Sequence, residues 1–558
     1  MQRLFQFHGG VQLKEHKRDA TAQPVQAARL PRQLVLPLQQ HIGTPAEAIV
    51  AVGDKVRKGQ LIAKPVGVIS APVHASSSGT VVAIAKHAVS HPSHLSAPCI
   101  IIDTDGEERW TEDRQPVADY HQLPPEAIRA RIRDAGIVGM GGAGFPAHVK
   151  LDPSQHAVDT LILNGAECEP YITCDEMLLR EHALEVIVGL RIMRYALQAR
   201  RCIIGIENNK KAAFLALREQ VRNTGADFID VVQVPTVYPT GGEKQLIQVL
   251  TGMEVPSGGL PLDIGVVCHN VGTAYAVYRA IEFGEPLISR YVTVAGSVAK
   301  ARNLDVLIGT PVIDLIEECG GNRNTLSRVI LGGPMMGVAL HDVTVPVTKT
   351  TNCILAFAKT GDVPLASKGS QPMPCIRCGN CAEACPVDLL PQQLYWYARA
   401  KDFDKIQDYH LFDCIECGCC DYVCPSQIPL VHYFRYAKTE IWAQQHEKAL
   451  ANIARERHQF REQRLEREKL EKQQRHQQKR AALDAQKGDA GSSADAAKKA
   501  AIQAAMERAK NKREANTIQP RNIDNLTPDQ QRKIDEANAR RKALEARADV
   551  GAAQDSEQ

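Results

Sequence analysis

Sixteen cysteines occur in this 558-residue chain, and eight of them form a duplicated pattern. The segments CIRCGNCAEACP (375–386) and CIECGCCDYVCP (414–425) each read Cys-x2-Cys-x2-Cys-x3-Cys-Pro. This spacing is typical of a site for a four-iron, four-sulfur cluster, because the two-residue gaps let three thiolates converge from one turn of backbone. In proteins with two such clusters, the fourth cysteine of each motif ligates the other cluster.

The eight cysteines are therefore predicted to bind two [4Fe-4S] clusters with crossed ligands. The first cluster takes Cys375, Cys378, Cys381 and Cys424, and the second takes Cys414, Cys417, Cys420 and Cys385. Zinc and disulfides are the alternatives. Zinc prefers paired Cys-x2-Cys motifs and would leave half of these cysteines unused, and the other eight, including Cys419, lack paired spacing, as expected in a reducing cytosol. The spacer between the motifs favours helix over strand, which predicts an all-helical domain.

A glycine-rich segment, IVGMGGAGFPAHVKL (137–151), follows a predicted amphipathic helix at 124–136. Four glycines in six residues let backbone N–H groups approach a phosphate without interference from a β-carbon. A plain turn between helix and strand is the alternative, because a nucleotide-binding Gly-x-Gly-x-x-Gly motif normally follows a strand.

Helical and strand-like segments alternate after residue 160, which predicts an α/β sandwich with a largely parallel sheet. Polar breaks follow three of the apolar strands: NGAECEPY (164–171), YPTGGEK (238–244) and HNVGT (269–273). In open α/β sheets, ligands bind beyond the carboxyl ends of the strands. We therefore expect a binding site at this edge.

Four of these motifs, GxGGAGFPxxxK, NGAECEP, YPTGGEK and HNVGT, occur in the order in which they resemble the flavin- and NADH-binding subunit of respiratory complex I and its hydrogenase relatives. The segment at 290–321 is similar to the β-grasp domain that follows that fold. Residues 34–104 resemble the barrel-sandwich domain of biotinyl and lipoyl carriers, but the hairpin tip Ser76–Ser78 lacks the carrier lysine, which favours a docking or structural role. Residues 1 to about 440 as a whole are similar to the RnfC (RsxC) family, the peripheral subunit of the ion-translocating Rnf oxidoreductase.

The resemblance implies sites for FMN and NAD(H). The phosphate of FMN would lie over Gly139, Gly141 and Gly142, with Lys150 as its charged partner. The flavin ring and ribityl chain would contact Asn164, Glu243 and Asn270, together with Tyr238, Gly241 and Gly242 of the same motif. Phe145 would stack on a base and Glu169 would lie near the nicotinamide. Turn, core or ion-pair roles are the structural alternatives, and departures from the complex I pattern at Ala166 and Leu151–Pro153 leave the NADH contacts open.

The predicted fold class is multidomain α/β, with five parts. They are an N-terminal region with a barrel-sandwich domain (1–120), an FMN/NADH-binding α/β domain (121–285), a β-grasp domain (286–362), an all-helical double [4Fe-4S] ferredoxin domain (363–442) and a charged, partly helical and mostly disordered tail (443–558).

The resemblance also implies a function. A subunit of this kind belongs to a membrane-bound complex that couples electron transfer between NADH and a low-potential carrier such as ferredoxin to ion translocation, through FMN and two [4Fe-4S] clusters. Hydride transfer is the chemistry of the cofactors, so no side chain is predicted to be catalytic. Two alternatives stay open: an NADH-oxidising subunit of a soluble hydrogenase- or formate dehydrogenase-type complex, and a scaffold that keeps the flavin fold without using it.

Composition bounds the partners and the location. The net charge of +3 is nearly balanced and gives no signal for nucleic acid. No apolar run reaches the length of a membrane span, and the first residues lack the apolar core of a signal peptide. We expect a peripheral protein at the cytoplasmic face of the inner membrane, held there by the other membrane and peripheral subunits of an Rnf/Rsx complex.

Overall fold

The computed structural model describes residues 3–91, 93, 95–153, 157–358, 371–487, 495–515 and 535. The chain divides into two units, Met1–Glu447 and Lys448–Gln558. The predicted boundary between the β-grasp and iron–sulfur domains, at residues 362 and 363, lies outside the described residues. Most of the predicted tail beyond residue 515 lies outside them as well.

Two antiparallel sheets form the barrel-sandwich part. The four-stranded sheet has the order β2-β8-β7-β4, and the three-stranded sheet has the order β3-β5-β6. Their facing side chains are apolar and fully buried, as Leu34, Leu36 and Ile100 illustrate, and this burial stabilises the pair of sheets. The strands up to residue 104 are β1 (Gln26–Ala27), β2 (Gln33–Pro37), β3 (Glu47–Ala48), β4 (Lys55–Val56), β5 (Leu61–Lys64), β6 (Val73–His74), β7 (Gly79–Ala88) and β8 (Ser96–Thr104).

The hairpin tip that carriers expose for modification is covered in this chain. Ser76, Ser77 and Ser78 are all buried. The Ser78 hydroxyl donates to Asp105 at 2.7 Å and accepts from the Arg109 backbone N–H at 2.9 Å. The tip therefore packs beneath the segment that follows β8, which agrees with the predicted structural role.

A four-stranded parallel sheet forms the centre of the α/β domain. Its order is β11-β10-β9-β12, so the chain moves outward from β9 to β11 and then returns to the other side of β9. The gap between β9 and β12 is a topological switch point, where open α/β sheets bind ligands. The elements are α1 (Pro125–Asp134), α2 (Ala147–Lys150), β9 (Thr160–Gly165), α3 (Cys174–Glu181), α4 (Ala183–Leu197), β10 (Arg201–Glu207), α5 (Lys211–Asn223), β11 (Ile229–Val234), α6 (Glu243–Thr251), β12 (Val266–Asn270) and α7 (Val271–Glu282).

The β-grasp part is a six-stranded sheet in the order β1-β14-β13-β17-β15-β16. Helix α8 packs its apolar side chains Val312, Leu315 and Ile316 against the sheet core. The edge strand β1 comes from the N-terminal region and pairs with β14 in parallel, with Gln26 opposite Leu304. The elements are β13 (Ser289–Gly296), β14 (Arg302–Leu307), α8 (Val312–Glu318), β15 (Leu326–Leu331), β16 (Val338–Leu340) and β17 (Cys353–Ala358).

Residues 3–28, here called the N-terminal arm, cross three parts of the molecule before the barrel-sandwich begins. The Phe5 N–H donates to the Val249 carbonyl at 3.0 Å in the α/β domain. The Gly10 N–H donates to the Ala384 carbonyl at 3.1 Å in the cysteine-rich domain. The arm then ends as β1 in the β-grasp sheet, so the N-terminal region serves more than its own domain.

The cysteine-rich domain contains only helices and turns among its described residues, 371–442. Leu394, Ile406 and Phe434 form its apolar centre. Arg377 and Glu416 both have a φ of 58°, so the two motifs share one left-handed turn. The helices are α9 (Asn380–Glu383), α10 (Pro391–Ala400), α11 (Phe403–Asp408), α12 (Cys419–Tyr422), α13 (Leu430–Lys487) and α14 (Asp495–Ala515).

Helix α13 changes character along its length. Val431, Phe434, Ala437 and Ile441 are buried at helical spacing against the cysteine-rich domain. From Trp442 to Asp484, every side chain is exposed. This stretch agrees with the predicted charged helical segment. Within the described parts of the chain, no helix is both long and apolar enough to cross a membrane.

Candidate flavin and iron–sulfur sites

Two asparagines lie side by side at the switch point of the parallel sheet. Asn164 at the end of β9 and Asn270 at the end of β12 are register partners. The Asn164 side chain donates to the Gly241 carbonyl at 2.8 Å, and Asn270 accepts from the Gly272 N–H at 2.8 Å, which caps α7. Two polar side chains are thereby fixed at the edge where a ligand is expected.

The glycine-rich loop faces these asparagines. The Gly139 N–H donates to the Phe145 carbonyl at 2.8 Å and closes the loop at its base. A β-carbon on Gly141 would lie 3.4 Å from the β-carbon of Asn270, so the loop packs close to the strand end. Gly142 has a φ of +114° and faces open space. These bare backbone positions leave room for a phosphate.

A lysine completes this edge. The Lys150 ammonium donates to Glu243 and to the Cys268 carbonyl, both at 2.6 Å. Glu243 is the first residue of α6, and Gly242 caps that helix. The glycine loop, Lys150 and two amides supply the donors that a phosphate and a flavin require, so the residues present fit FMN.

Buried charges hold the loop that follows β9. The Lys17 ammonium, from the N-terminal arm, donates to the carbonyls of Glu167 and Glu169 at 2.9 Å each. Lys210 donates to the Ala166 carbonyl at 3.0 Å and forms a fully buried ion pair with Glu207. Sequence reasoning missed Lys17, Lys210 and Glu207, because nothing in their local pattern marks them as buried.

An acidic pair lies behind Asn270. The Glu167 carboxylate accepts from the Asp175 backbone N–H at 2.7 Å, at the start of α3. Asn270 donates to the Asp175 carboxylate at 2.6 Å. Burial, and then the charge of Glu167, raise the pKa of Asp175 to about 7. The orientation of Asn270 therefore depends on an acid that the sequence analysis did not select.

Glu169 contacts the β-grasp domain in this structure. Its carboxylate accepts from the backbone N–H groups of Met335 and Met336, at 3.1 and 2.8 Å. Burial raises the pKa of Glu169 to about 7. These contacts give Glu169 a structural use, and its predicted position beside a nicotinamide stays a prediction.

Tyr238 is buried at the junction between the α/β and cysteine-rich domains. Its hydroxyl donates to the Cys417 carbonyl at 2.6 Å. Its ring packs with Ala384, Cys417 and Cys419. The predicted packing of Tyr238 on a flavin ring stays a prediction, whereas its contact with the cysteine motif is a feature that the sequence did not indicate.

The eight motif cysteines separate into two groups that cross the sequence motifs. One cavity is lined by Cys385, Cys414, Cys417 and Cys420, with Cys419 beside them. In the other group, burial and then the thiols of Cys378 and Cys424 raise the pKa of Cys381. The cavity and its four thiols fit a [4Fe-4S] cluster, whose iron would displace the thiol protons.

The cluster loops also present the backbone donors that such groups need. Arg377 and Glu416 in left-handed conformation, each followed two residues later by a positive-φ glycine, direct successive N–H groups toward one side of the loop. Lys438 of α13 donates to the Cys414 carbonyl at 2.7 Å and to Glu416 at 2.9 Å. Helix α13 thus supports the second cysteine motif.

Of the twelve predicted cofactor-binding residues, most converge at the switch point. Those lying at this edge or in the loop facing it are Gly139, Gly141, Gly142, Phe145, Lys150, Asn164, Gly241, Gly242, Glu243 and Asn270. Glu169 and Tyr238 make their described contacts with other domains instead.

Comparisons with known proteins match four parts of the chain. Residues 5–107 match the RnfC barrel sandwich hybrid domain, and residues 132–279 match the Nuo51 FMN-binding domain. Residues 291–339 match the SLBB domain, and residues 374–428 match the 4Fe-4S dicluster domain. Together with the structure, these matches confirm the predicted fold class.

Relatives that match most of this chain are all named as the same component of an "Ion-translocating oxidoreductase complex". The relative from Erwinia tasmaniensis is 48% identical over 90% of this chain and 61% of its own length. That from Pseudomonas aeruginosa is 49% identical over 84% of this chain and 60% of its own length. That from Serratia proteamaculans is 47% identical over 91% of this chain and 70% of its own length. The chain thus spans about six-tenths of the length of the first two relatives.

Among solved structures, an NAD+-reducing [NiFe]-hydrogenase in the air-oxidized state matches with a TM-score of 0.39 and 22% identity. The match covers 51% of this chain and 54% of the hydrogenase chain. A likeness this distant carries no information about function.

Proposed function

This chain belongs to the RnfC family of ion-translocating oxidoreductase complexes, and on that premise we propose that it exchanges electrons between NADH and a membrane-bound redox complex. The electrons pass through FMN in the α/β domain and through two [4Fe-4S] clusters in the cysteine-rich domain. The whole complex uses this transfer, between NADH and a low-potential carrier such as ferredoxin, to move ions across the membrane.

The observation that carries the proposal is the short connection between the two sites. The segment 238–243 contributes Gly241 and Glu243 to the flavin site at one end and Tyr238 to the second cluster's cavity at the other. A relay needs its redox centres close together, and this segment supports such an arrangement.

Each residue at the switch point has a defined task in this proposal. The backbone of Gly139, Gly141 and Gly142 and the charge of Lys150 hold the phosphate. Asn164 and Asn270 orient the ring and the ribityl chain. FMN, when bound, accepts two electrons as hydride from NADH and releases them singly. Since Glu243 already pairs with Lys150, a phosphate would share that ammonium with the carboxylate.

The exposure of the cysteines supports an order for the relay. The second cluster's cavity is flanked by Tyr238 of the α/β domain. Cys378 of the first cluster is exposed, and its neighbours Ile376 and Met373 are exposed apolar side chains. The second cluster then exchanges electrons with the flavin, and the first cluster exchanges them with a neighbouring protein of the complex. The chain sits peripherally at the cytoplasmic face of the inner membrane, where the other subunits hold it.

Flavin binding tests the proposal. Purified chain with intact clusters should bind one FMN non-covalently, and NADH should bleach the flavin absorbance. Lys150→Met should weaken FMN binding by about 10- to 100-fold, the loss expected for one charge-assisted hydrogen bond to a phosphate. Lys211→Met, which removes an exposed lysine at the start of α5, is the control. Cluster-replete protein that binds no FMN would overturn the proposal.

A further inference from the structure

We infer that Tyr238 is a positioning residue for electron transfer: together with the N-terminal arm, it fixes the second cluster against the flavin site and sets that cluster's reduction potential. The inference rests on the proposed function for its physiological meaning. Its structural basis is a set of hydrogen bonds that join two domains through one buried side chain.

On the flavin side, Tyr238 belongs to a loop whose other residues form the site itself. The Gly241 carbonyl, three residues later, accepts from Asn164 at 2.8 Å, and its N–H donates to the Cys168 sulfur at 3.3 Å. Cys168 packs in the same apolar cluster as Tyr238. A displacement of Tyr238 would therefore reach Asn164 through only a few covalent bonds.

On the cluster side, the Tyr238 hydroxyl donates to the backbone carbonyl of a predicted ligand residue, Cys417, at 2.6 Å. Cys417, Cys419 and Ala384 around it are buried. A hydrogen bond that is shielded from water is stronger electrostatically than an exposed one. Hydrogen bonding and solvent exposure near a cluster are among the factors that set its potential, so this hydroxyl should favour the reduced cluster.

The N-terminal arm connects the same tyrosine to the other cysteine motif. Val11 and Tyr238 exchange two backbone hydrogen bonds, at 2.8 and 2.9 Å. Gly10 then donates to the Ala384 carbonyl at 3.1 Å, and the His8 ring bonds the Cys385 carbonyl at 2.9 Å. The peptide segments of Cys385 and Cys417, from the two motifs, are thus both tied to Tyr238.

The arm has no spare room at this contact. A β-carbon on Gly9 would lie 2.7 Å from the carbonyl carbon of Ala384, and Gly9 has a φ of +66°. Only glycine lets the two backbones approach so closely. The close approach indicates that the arm is a fixed part of the cluster's surroundings.

The step that Tyr238 serves moves one electron between the flavin and the cluster. One centre is oxidised by one electron, the other is reduced by one, and no bond forms or breaks. Because the chemistry belongs to the cofactors, the protein controls the step through the separation of the centres and their potentials. Tyr238 acts on both quantities.

The test compares Tyr238→Phe with Tyr195→Phe in the full chain. Tyr195 is a matched control, because its hydroxyl also donates to a backbone carbonyl, that of Leu123 at 2.8 Å, within the α/β domain. Redox titrations with mediators, followed by electron paramagnetic resonance, measure each cluster's midpoint potential and need no flavin. Tyr238→Phe should move the midpoint of the second cluster to more negative values and leave the first unchanged. Tyr195→Phe should change neither.

A rate measurement accompanies the titration. After NADH is mixed with the flavin-loaded protein, reduction of the second cluster should be about tenfold slower in Tyr238→Phe, the effect of losing roughly one buried hydrogen bond. Identical potentials and rates in Tyr238→Phe and the parent protein would overturn the inference. Failure of the parent protein to bind FMN would overturn the proposed function instead, while the midpoint shift would still decide the role of Tyr238.

A second variant covers the case in which Tyr238→Phe loses its clusters. Gly9→Ala should push the arm away from Ala384 and also shift the second cluster's midpoint to more negative values. Gly67→Ala is the control, since Gly67 has a φ of +77° and a β-carbon added to it would have no atom within 4 Å. It has the same backbone strain without a collision. Equal midpoints in the two glycine variants would overturn the inference.

Discussion

Replacement of Cys385 by serine should remove the second cluster and leave the first in place. Cys385 belongs to the first cysteine motif in the sequence, yet it lines the cavity that contains Cys414, Cys417 and Cys420. The damage should therefore fall on the motif that is remote in sequence. Serine is a poorer ligand than a thiolate for iron in such clusters, so the fourth position would be lost.

The magnitude follows from the two ligand sets. Two four-iron clusters correspond to about eight irons per chain, and loss of one leaves about four. Cys424→Ser is the reciprocal variant and should also retain about four, but with the second cluster kept. Cys419→Ser is the matched control: Cys419 lines the same cavity but lies outside both predicted ligand sets, so about eight irons should remain.

Iron determination on anaerobically purified protein gives the count, and electron paramagnetic resonance of the reduced protein identifies the surviving cluster. Cys378→Ser supplies the reference spectrum for loss of the first cluster. If Cys385→Ser reproduced that reference spectrum, the ligands would not be crossed. If Cys385→Ser retained about eight irons, Cys385 would not be a ligand.

Three further variants test other parts of the structure. Gly141→Val should weaken FMN binding about 100-fold by filling the space beside Asn270, with unchanged iron content; unaltered binding in a flavin fluorescence titration would refute this placement. Burial lowers the pKa of Lys349 to about 7 from 10.5, so the unfolded chain binds more protons between these values and the stability of the parent protein should rise with pH there. Lys349→Met should lack that rise, and parallel melting-temperature profiles of the two proteins from pH 7 to 10 would contradict it. Phe434→Ala should destabilise the cysteine-rich domain by about 3–5 kcal/mol, and an unchanged denaturant midpoint for cluster loss would contradict its place in the core.

The features that the sequence predicted are those encoded by local spacing. The cysteine repeat implied the two crossed groups, because the geometry of three ligands on one turn depends only on neighbouring residues. Buried strands that alternate with helices implied the parallel sheet, and polar residues after them implied the edge at which Asn164 and Asn270 meet. The glycine-rich loop was placed for the same reason.

The features that sequence reasoning missed depend on contacts between distant residues. The N-terminal arm has no periodic pattern, and its partners, such as Cys385 for His8, lie hundreds of positions away. Lys17 and Lys210 look like surface lysines until the carbonyls that surround them are known. The motif around Tyr238 marks a strand end, but the direction of its side chain is set by the packing of a second domain.

Reduction of the clusters by NADH, with and without FMN, tests the central claim most directly. Flavin-free, cluster-replete protein is mixed anaerobically with NADH, and the iron–sulfur absorbance and paramagnetic resonance signals are followed before and after FMN is added. We expect no reduction of the clusters without FMN and reduction once FMN is bound. Reduction at the same rate without FMN, or none with FMN bound, would contradict the proposed relay.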